Sequence, residues 1–220
     1  MNITIEGAPA FGFAHVVLDP GEKFYTESGA MASMSAGLDM KAKLNGGLIK
    51  GLLRKLLGGE SLFINEFSNN KSEPLKLTVT QPMPGDIRIL ELNGNDIYYL
   101  QPGAYVCSEA GVKLNLKWAG FNSMIGGEGL FRLQVSGNGR LLIGAYGGLV
   151  EKEIKGELIV DTDHLVAYPQ GFTIKTQLSG NLISSLTSGE GLVMRIKGNG
   201  KVILQTRSFG GLTKWINRQL

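Results

Sequence analysis

Three glutamates stand in near-identical company: Gly59-Glu60-Ser61-Leu62-Phe63, Gly127-Glu128-Gly129-Leu130-Phe131 and Gly189-Glu190-Gly191-Leu192-Val193. If the segments that carry them surrounded one axis, three carboxylates would offer oxygen ligands suited to calcium or magnesium. The simpler chemistry is structural. A glutamate beside a corner glycine accepts backbone N–H bonds and locks the turn, and segments lying side by side would hold the carboxylates apart. Gly59, Glu60, Gly127, Glu128, Gly189 and Glu190 are therefore expected to be corners, and no metal is expected. His15 and His164 are the only histidines, and neither stands in a nucleophile motif such as Gly-x-Ser-x-Gly. Cys107 is the only cysteine, which excludes an intramolecular disulfide and a two-cysteine metal site. A small apolar filler in a strand is its expected role. There is no Walker loop, and Gly198-Asn199-Gly200 reads as a hairpin turn rather than a phosphate cradle. With no grouping of nucleophile, base and orienter, no catalytic residue or cofactor is expected, and the chain reads as a non-enzyme.

The elements that would carry these residues are strands. Glycine accounts for 32 of 220 residues without a collagen-like period, which implies many tight turns. Between the glycines run short alternating segments: Leu75, Leu77 and Val79 share one side of a strand, as do Phe131, Leu133 and Val135, and Leu192, Met194 and Ile196. Three turn signals, Leu18-Asp19-Pro20-Gly21-Glu22, Leu92-Asn93-Gly94-Asn95-Asp96 and Val160-Asp161-Thr162-Asp163-His164, recur at about seventy residues, with Gly29, Gly103 and Gly171 following in step. The expected fold is all-β, with three tandem units at 1–85, 86–152 and 153–220. Ser136-Gly137-Asn138-Gly139 and Lys197-Gly198-Asn199-Gly200 predict two tight hairpins, since asparagine and glycine accept the positive φ of primed turns. A β-bulge is expected near Gly129 or Leu130. Ser68 to Pro74 predicts a longer, less regular turn in the first unit.

One segment breaks the strand pattern. Within a helical insert expected at 46–58, Leu48, Ile49, Leu52, Leu53, Leu56 and Leu57 recur at helical spacing, with Lys50, Arg54 and Lys55 opposite. A helix this short is marginal alone in water and must dock. It either caps the open end of its own barrel or lies on an anionic membrane or a protein partner. Leu212, Trp215 and Ile216 against Lys214 and Arg218 form a second amphipathic piece at the end of the chain.

The order of a Pro-Gly-Glu turn (Pro20 to Glu22), Ser28-Gly29-Ala30-Met31, the leucine-rich connector, Gly59 to Phe63, Pro84-Gly85-Asp86 and Gly127 to Phe131 resembles the altered-inheritance-of-mitochondria family. The resemblance implies units like the subunit of the tryptophan RNA-binding attenuation protein, short double-stranded β-helices that assemble into rings. A physical argument points the same way, because open sheet edges are covered or paired with another chain, and a head-to-tail cyclic oligomer closes them. A homotrimer is expected.

The functional expectation is a non-enzymatic scaffold or binding ring that docks on a membrane or protein partner. The alternative is a ring that binds RNA or a small ligand between units. The net charge of +3 does not imply a nucleic acid. Lys41, Lys43, Lys113 and Lys117 lie in comparable strands, but Lys175 stands alone in the third unit, so no basic code repeats. Met1 to Thr4 lacks a charged stretch leading into an apolar run, and no apolar run approaches the roughly 18 residues of a membrane span. A cytoplasmic protein, or one peripheral to the inner membrane, is the expectation.

Overall fold

Alternation at period two sets the architecture. In β2 (Phe13–Leu18) Ala14, Val16 and Leu18 are fully buried while their neighbours are half exposed, and in β7 (Leu75–Thr80) Leu75, Leu77 and Val79 are the buried set. The computed structural model describes residues 1–44, 63–101, 103–118, 131–178 and 192–219. Among these the protein is almost entirely β. The remaining strands are β1 (Asn2–Glu6), β3 (Lys23–Glu27), β4 (Met31–Met34), β5 (Asp39–Leu44), β6 (Phe63–Ser68), β8 (Ile87–Leu100), β9 (Tyr105–Glu109), β10 (Val112–Trp118), β11 (Phe131–Gly144), β12 (Leu149–Asp161), β13 (Leu165–Pro169), β14 (Thr173–Leu178) and β15 (Leu192–Gln205). A 3-10 turn, Thr162–His164, enters β13, and one helix, α1 (Phe209–Asn217), follows β15. The strands form a sheet ordered β1-β2-β7-β4 and a larger one running β12-β15-β13-β8-β11-β9-β3-β6-β5, with β10 and β14 attached to β11 and β15.

Three antiparallel pairs repeat one arrangement. β5 lies on β6 with Leu44 opposite Phe63, β10 on β11 with Trp118 opposite Phe131, and β14 on β15 with Leu178 opposite Leu192. The predicted helical insert, the corner residues Gly59, Glu60, Gly127, Glu128, Gly189 and Glu190, and the bulge expected at Gly129 or Leu130 all fall in the segments joining these pairs, outside the described residues.

The two expected Asn-Gly hairpins do not form. Gly137 to Gly139 lies inside β11 and Gly198 to Gly200 inside β15, each strand running 14 residues without reversal. A primed turn requires its flanks to pair with each other, and here they pair elsewhere. The first half of β11 bonds β10, the second half bonds β9, and β8 runs along both. The positive φ of Gly137 (101°) and Gly139 (135°) serves a bend within a continuing strand. The register of β11 against β8 shifts there, between Ser136 and Asn138. Gly111 and Gly137 approach so closely at this point that a Cβ on either would collide with the other segment's backbone.

The turn landmarks also divide differently from the expectation. Leu18 to Glu22 joins β2 to β3, and Leu92 to Asp96 bulges within β8, where Asn95 N–H bonds Asn93 Oδ1 at 3.0 Å. Val160 to His164 instead ends β12 and leads into β13. Gly29 and Gly103 precede β4 and β9, whereas Gly171 precedes β14, the partner of β15 in the way that β5 partners β6 and β10 partners β11. Gly171 therefore stands with Gly37 and Gly111. A glycine signals that the chain must adopt positive φ, as Gly171 does at 104°, but not which strand comes next.

The Ser68 to Pro74 turn is irregular, as expected, and firmly tied. Fully buried Asn69 donates to the carbonyls of Leu18 (2.9 Å) and Glu73 (2.8 Å) and accepts from Lys71 N–H at 2.9 Å. Among the described residues the core falls into three apolar clusters. Val106, Cys107 and Leu142 pack with Leu18, Phe24, Phe67 and Leu77, while Leu149 and Ala167 pack with Leu100, Tyr105 and Leu141. The third gathers Ile154, Leu165, Ile196 and Val202. Cys107 is the buried strand filler that was expected, and burial pushes its thiol pKa up.

Candidate functional site

The one strongly perturbed carboxylate among the described residues is Glu66, in the middle of β6. Its neighbours Ile64 and Phe67 are buried, and so is Glu66 itself. Burying a charge is costly unless it is paired, and three groups from two other strands meet it. Tyr25 on β3 donates its hydroxyl to Oε2 at 2.8 Å, Lys43 on β5 donates to the same oxygen, and Lys23 on β3 stands 3.5 Å from Oε1. The Lys43 ammonium also lies 5.6 Å from the centre of the Tyr25 ring. The bonds from Lys43 and then Tyr25 hold the Glu66 carboxyl at about 2, against the opposing effect of burial. Burial and the bond to Glu66 push the Tyr25 phenol above its ordinary value. Beneath this group, buried Tyr105 reaches the Tyr25 carbonyl at 3.3 Å and Ser108 Oγ at 3.0 Å. The cluster can anchor strands. Its acid is fully ionised, and its hydroxyl is less acidic than usual, the reverse of an activated nucleophile.

The place of Tyr25 defines a row. Tyr25 lies between Glu66 and Ser108, and Tyr99 lies between Gln134 and Tyr168, with the Tyr99 and Tyr168 rings stacked at 5.3 Å. Ile159 faces Arg195 on one side and, among the described residues, has no strand on the other. Glu66, Gln134 and Arg195 are each the fourth residue of β6, β11 and β15. Among the described residues the smaller sheet ends on β1 and β4 and the larger on β12 and β5; β4 and β12 are the ends that correspond to the two halves of the β3–β9 and β8–β13 junctions. β4 and β12 each carry an exposed apolar side chain, Met34 at 38% and Ile159 at 52%.

The remaining candidates resolve as structural. His15 Nδ1 lies 3.0 Å from Thr78 Oγ1 with its ring edge-on to Phe13, and half-buried His164 places Nδ1 2.7 Å from the Gln205 carbonyl. His164 is thus a strut of its turn. Asp161 caps the 3-10 turn by accepting from Asp163 N–H. Among the described residues no three His, Cys, Asp or Glu side chains converge to hold a metal.

Residues 3–207 match the mitochondrial biogenesis AIM24 family. The chain belongs to that family. An uncharacterised protein of Streptococcus pyogenes serotype M6 is 26% identical over 226 residues, spanning 97% of this chain and 90% of the relative. A crystal structure of a Streptococcus pyogenes protein, also 26% identical, covers 100% of this chain and 99% of its own with a TM-score of 0.81. The AIM24 assignment agrees with the resemblance seen in the motif order from Pro20 to Phe131. It leaves activity and partners to be argued from the surface.

Two features of the structure were hidden from sequence reasoning. The Glu66 cluster joins residues from β3, β5 and β6, and its only signal in the sequence is a lone carboxylate inside an apolar strand. The open edges depend on knowing which strands already have two partners. The second amphipathic piece was legible: α1 exposes Phe209 (59%), Trp215 (62%) and Ile216, while Lys214 and Arg218 lie on another face.

Proposed function

We propose that this AIM24-family protein is a non-enzymatic scaffold that forms a homotrimeric ring, each chain being three tandem short double-stranded β-helix units at 1–85, 86–152 and 153–220. One observation carries the reading. The junction of β3 with β9 pairs Tyr25 with Ser108, and the junction of β8 with β13 pairs Tyr99 with Tyr168 over the same three-residue span. A joint used twice inside the chain leaves one unmated half at each end, and unmated sheet edges favour association with another chain. Mass photometry is expected to give a particle of about three times 23.6 kDa. A particle that stays at the mass of one chain when concentrated overturns the ring.

Docking of the ring on an anionic membrane is a second reading, supported by the exposed aromatic face of α1 with Lys214 and Arg218 and by the sequence pattern of Leu48 to Leu57. Among the described residues no helix is long and apolar enough to cross a membrane, so contact through α1 would be peripheral. Vesicles containing phosphatidylserine are expected to float the protein, with binding lost in Leu52→Asp with Leu53→Asp and weakened in Trp215→Ala. Flotation that survives all three changes overturns membrane docking. RNA is the weaker partner, because the second residues from the ends of β5, β10 and β14 are Lys43, Lys117 and Gln177, so the basic position is lost in the third strand.

A further inference from the structure

We propose that copies of this chain join by antiparallel pairing of the β12 edge of one copy with the β4 edge of the next, in the register Leu158 opposite Ser35, Ile159 opposite Met34 and Val160 opposite Ser33. The inference rests on the ring reading and adds the surface and register that would build it.

The two internal junctions supply the template. In the first, Phe24, Tyr25 and Thr26 face Glu109, Ser108 and Cys107; in the second, Tyr98, Tyr99 and Leu100 face Pro169, Tyr168 and Ala167. The left-hand members are placed by their other partners. Tyr25, Tyr99 and Ile159 each sit opposite the fourth residue of β6, β11 and β15. Ile159 is thus the third member of that series, and among the described residues no strand lies on its far side.

The right-hand members are placed by a shared irregularity. β9 pairs Tyr105 with Ile143 and then Cys107 with Leu142, skipping one residue. β13 pairs Leu165 with Leu204 and then Ala167 with Ile203, with the same skip. β4 repeats it, Met31 with Val79 and then Ser33 with Thr78. Counting on from the skip sets Met34 with Ser108 and Tyr168. Since Ser35 N–H is bonded to the Lys76 carbonyl on the β7 side, backbone alternation turns the N–H and C=O of Met34 toward the open edge.

A second copy is the occupant that both halves specify. Among the described residues each edge lacks the partner the other provides, they lie at the two ends of the series of junctions, and both present an apolar side chain at the central position. An unrelated partner would have to match only one of them. Pairing Met34 with Ile159 gives a cross-strand apolar contact where the internal joints have Tyr25 with Ser108 and the stacked tyrosines.

The test uses the full chain. Ile159→Asp and Met34→Asp each place a carboxylate at the centre of one edge, on side chains exposed enough for the fold to persist. Each variant is expected to lose the wild-type oligomer and run as one chain, with unchanged circular dichroism. Mixed together they are expected to form a one-to-one dimer, because one intact β4 edge and one intact β12 edge remain between them. Either variant retaining the wild-type oligomer, or a mixture that forms no dimer, overturns the register while leaving another ring possible. A wild-type protein that is monomeric removes both the register and the ring. The double substitution Met34→Cys with Ile159→Cys provides a check that does not depend on charged variants folding, since paired strands bring Cα atoms within disulfide reach. Oxidation is expected to yield covalent multiples of the chain, whereas Met40→Cys with Ile159→Cys yields none. Absence of the first ladder, or its equal appearance in the second, overturns the junction.

Discussion

Gly85→Ala is expected to destabilise the protein by about 3 kcal/mol, lowering its melting temperature by roughly 6–12 °C. Gly85 sits where the chain passes from β7 into β8 and forms a parallel bridge with Gly147. Its carbonyl accepts from Gly12 N–H at 2.7 Å, while Asp86 N–H donates to the Gly147 carbonyl at 2.8 Å and Gly147 N–H to the Pro84 carbonyl at 3.1 Å. Gln81 ties the same corner by donating to the Ala145 carbonyl at 2.8 Å. A Cβ on Gly85 would overlap the Ala145 carbonyl oxygen and lie 2.7 Å from both the nitrogen and the oxygen of Gly147. Every atom it meets is backbone, so no side chain can swing away. The strands it would push apart carry Ile87 and Leu149, both buried. Gly94→Ala is the matched control. Gly94 has φ of 93° but nothing within 4 Å of an added Cβ, so its cost is conformational alone, about 1–2 kcal/mol. Thermal melts of the two variants compare crowding with backbone strain. Equal losses would mean that the corner yields and its hydrogen bonds do not hold it.

Glu66→Gln is expected to cost about 2 kcal/mol at neutral pH and to remove a band of acid sensitivity. Glu66 titrates at about 2 when folded against an ordinary value of 4.5. That difference corresponds to about 3 kcal/mol, which the half-exposed Lys23 and Lys43 reduce through solvent screening. The folded value is the lower one, so the contribution is fully present above the unfolded value and is lost as pH falls from about 4.5 to about 2. Glutamine keeps an acceptor for the Tyr25 hydroxyl, and Gln134 already holds the matching place opposite Tyr99. The variant should therefore fold, start lower at neutral pH, and converge with the wild type at the acid end. Denaturant titrations through that window check this. Two curves that fall in parallel would show that Glu66 carries none of the acid dependence.

Much of the architecture was legible because period-two alternation is a local property. Leu75, Leu77 and Val79 each shared a face in the sequence and each is buried, as are Leu133 with Val135 and Met194 with Ile196. The motif order from Pro20 to Phe131 also carried the family. The hairpins at Asn138 and Asn199 were misread because glycine and asparagine advertise only that φ can be positive. Whether such a residue reverses a chain or bends it depends on what its flanks pair with, and those partners come from up to several tens of residues away. Gly171 was assigned to the wrong strand entry for the same reason. The predicted site residues, Leu48 to Leu57 and the three glycine–glutamate corners, fall outside the described residues, and the cluster that the fold does assemble was not anticipated. Lys23 and Tyr25 share a face of β3 by their spacing of two, but nothing in the sequence marks Lys43 or Glu66 as their neighbours.

By itself, then, the sequence determined that this chain is β, where its strands alternate, that its single cysteine fills a core, and which family it joins. All of these follow from residue types and order over short spans. Tertiary structure alone decided that Glu66 is a buried, ionised anchor and that Met34 and Ile159 stand at the open ends of a joint the chain has already made twice. Cross-strand partnership is the reason. A charge is buried or solvated, and an edge open or closed, according to which distant segment lies alongside.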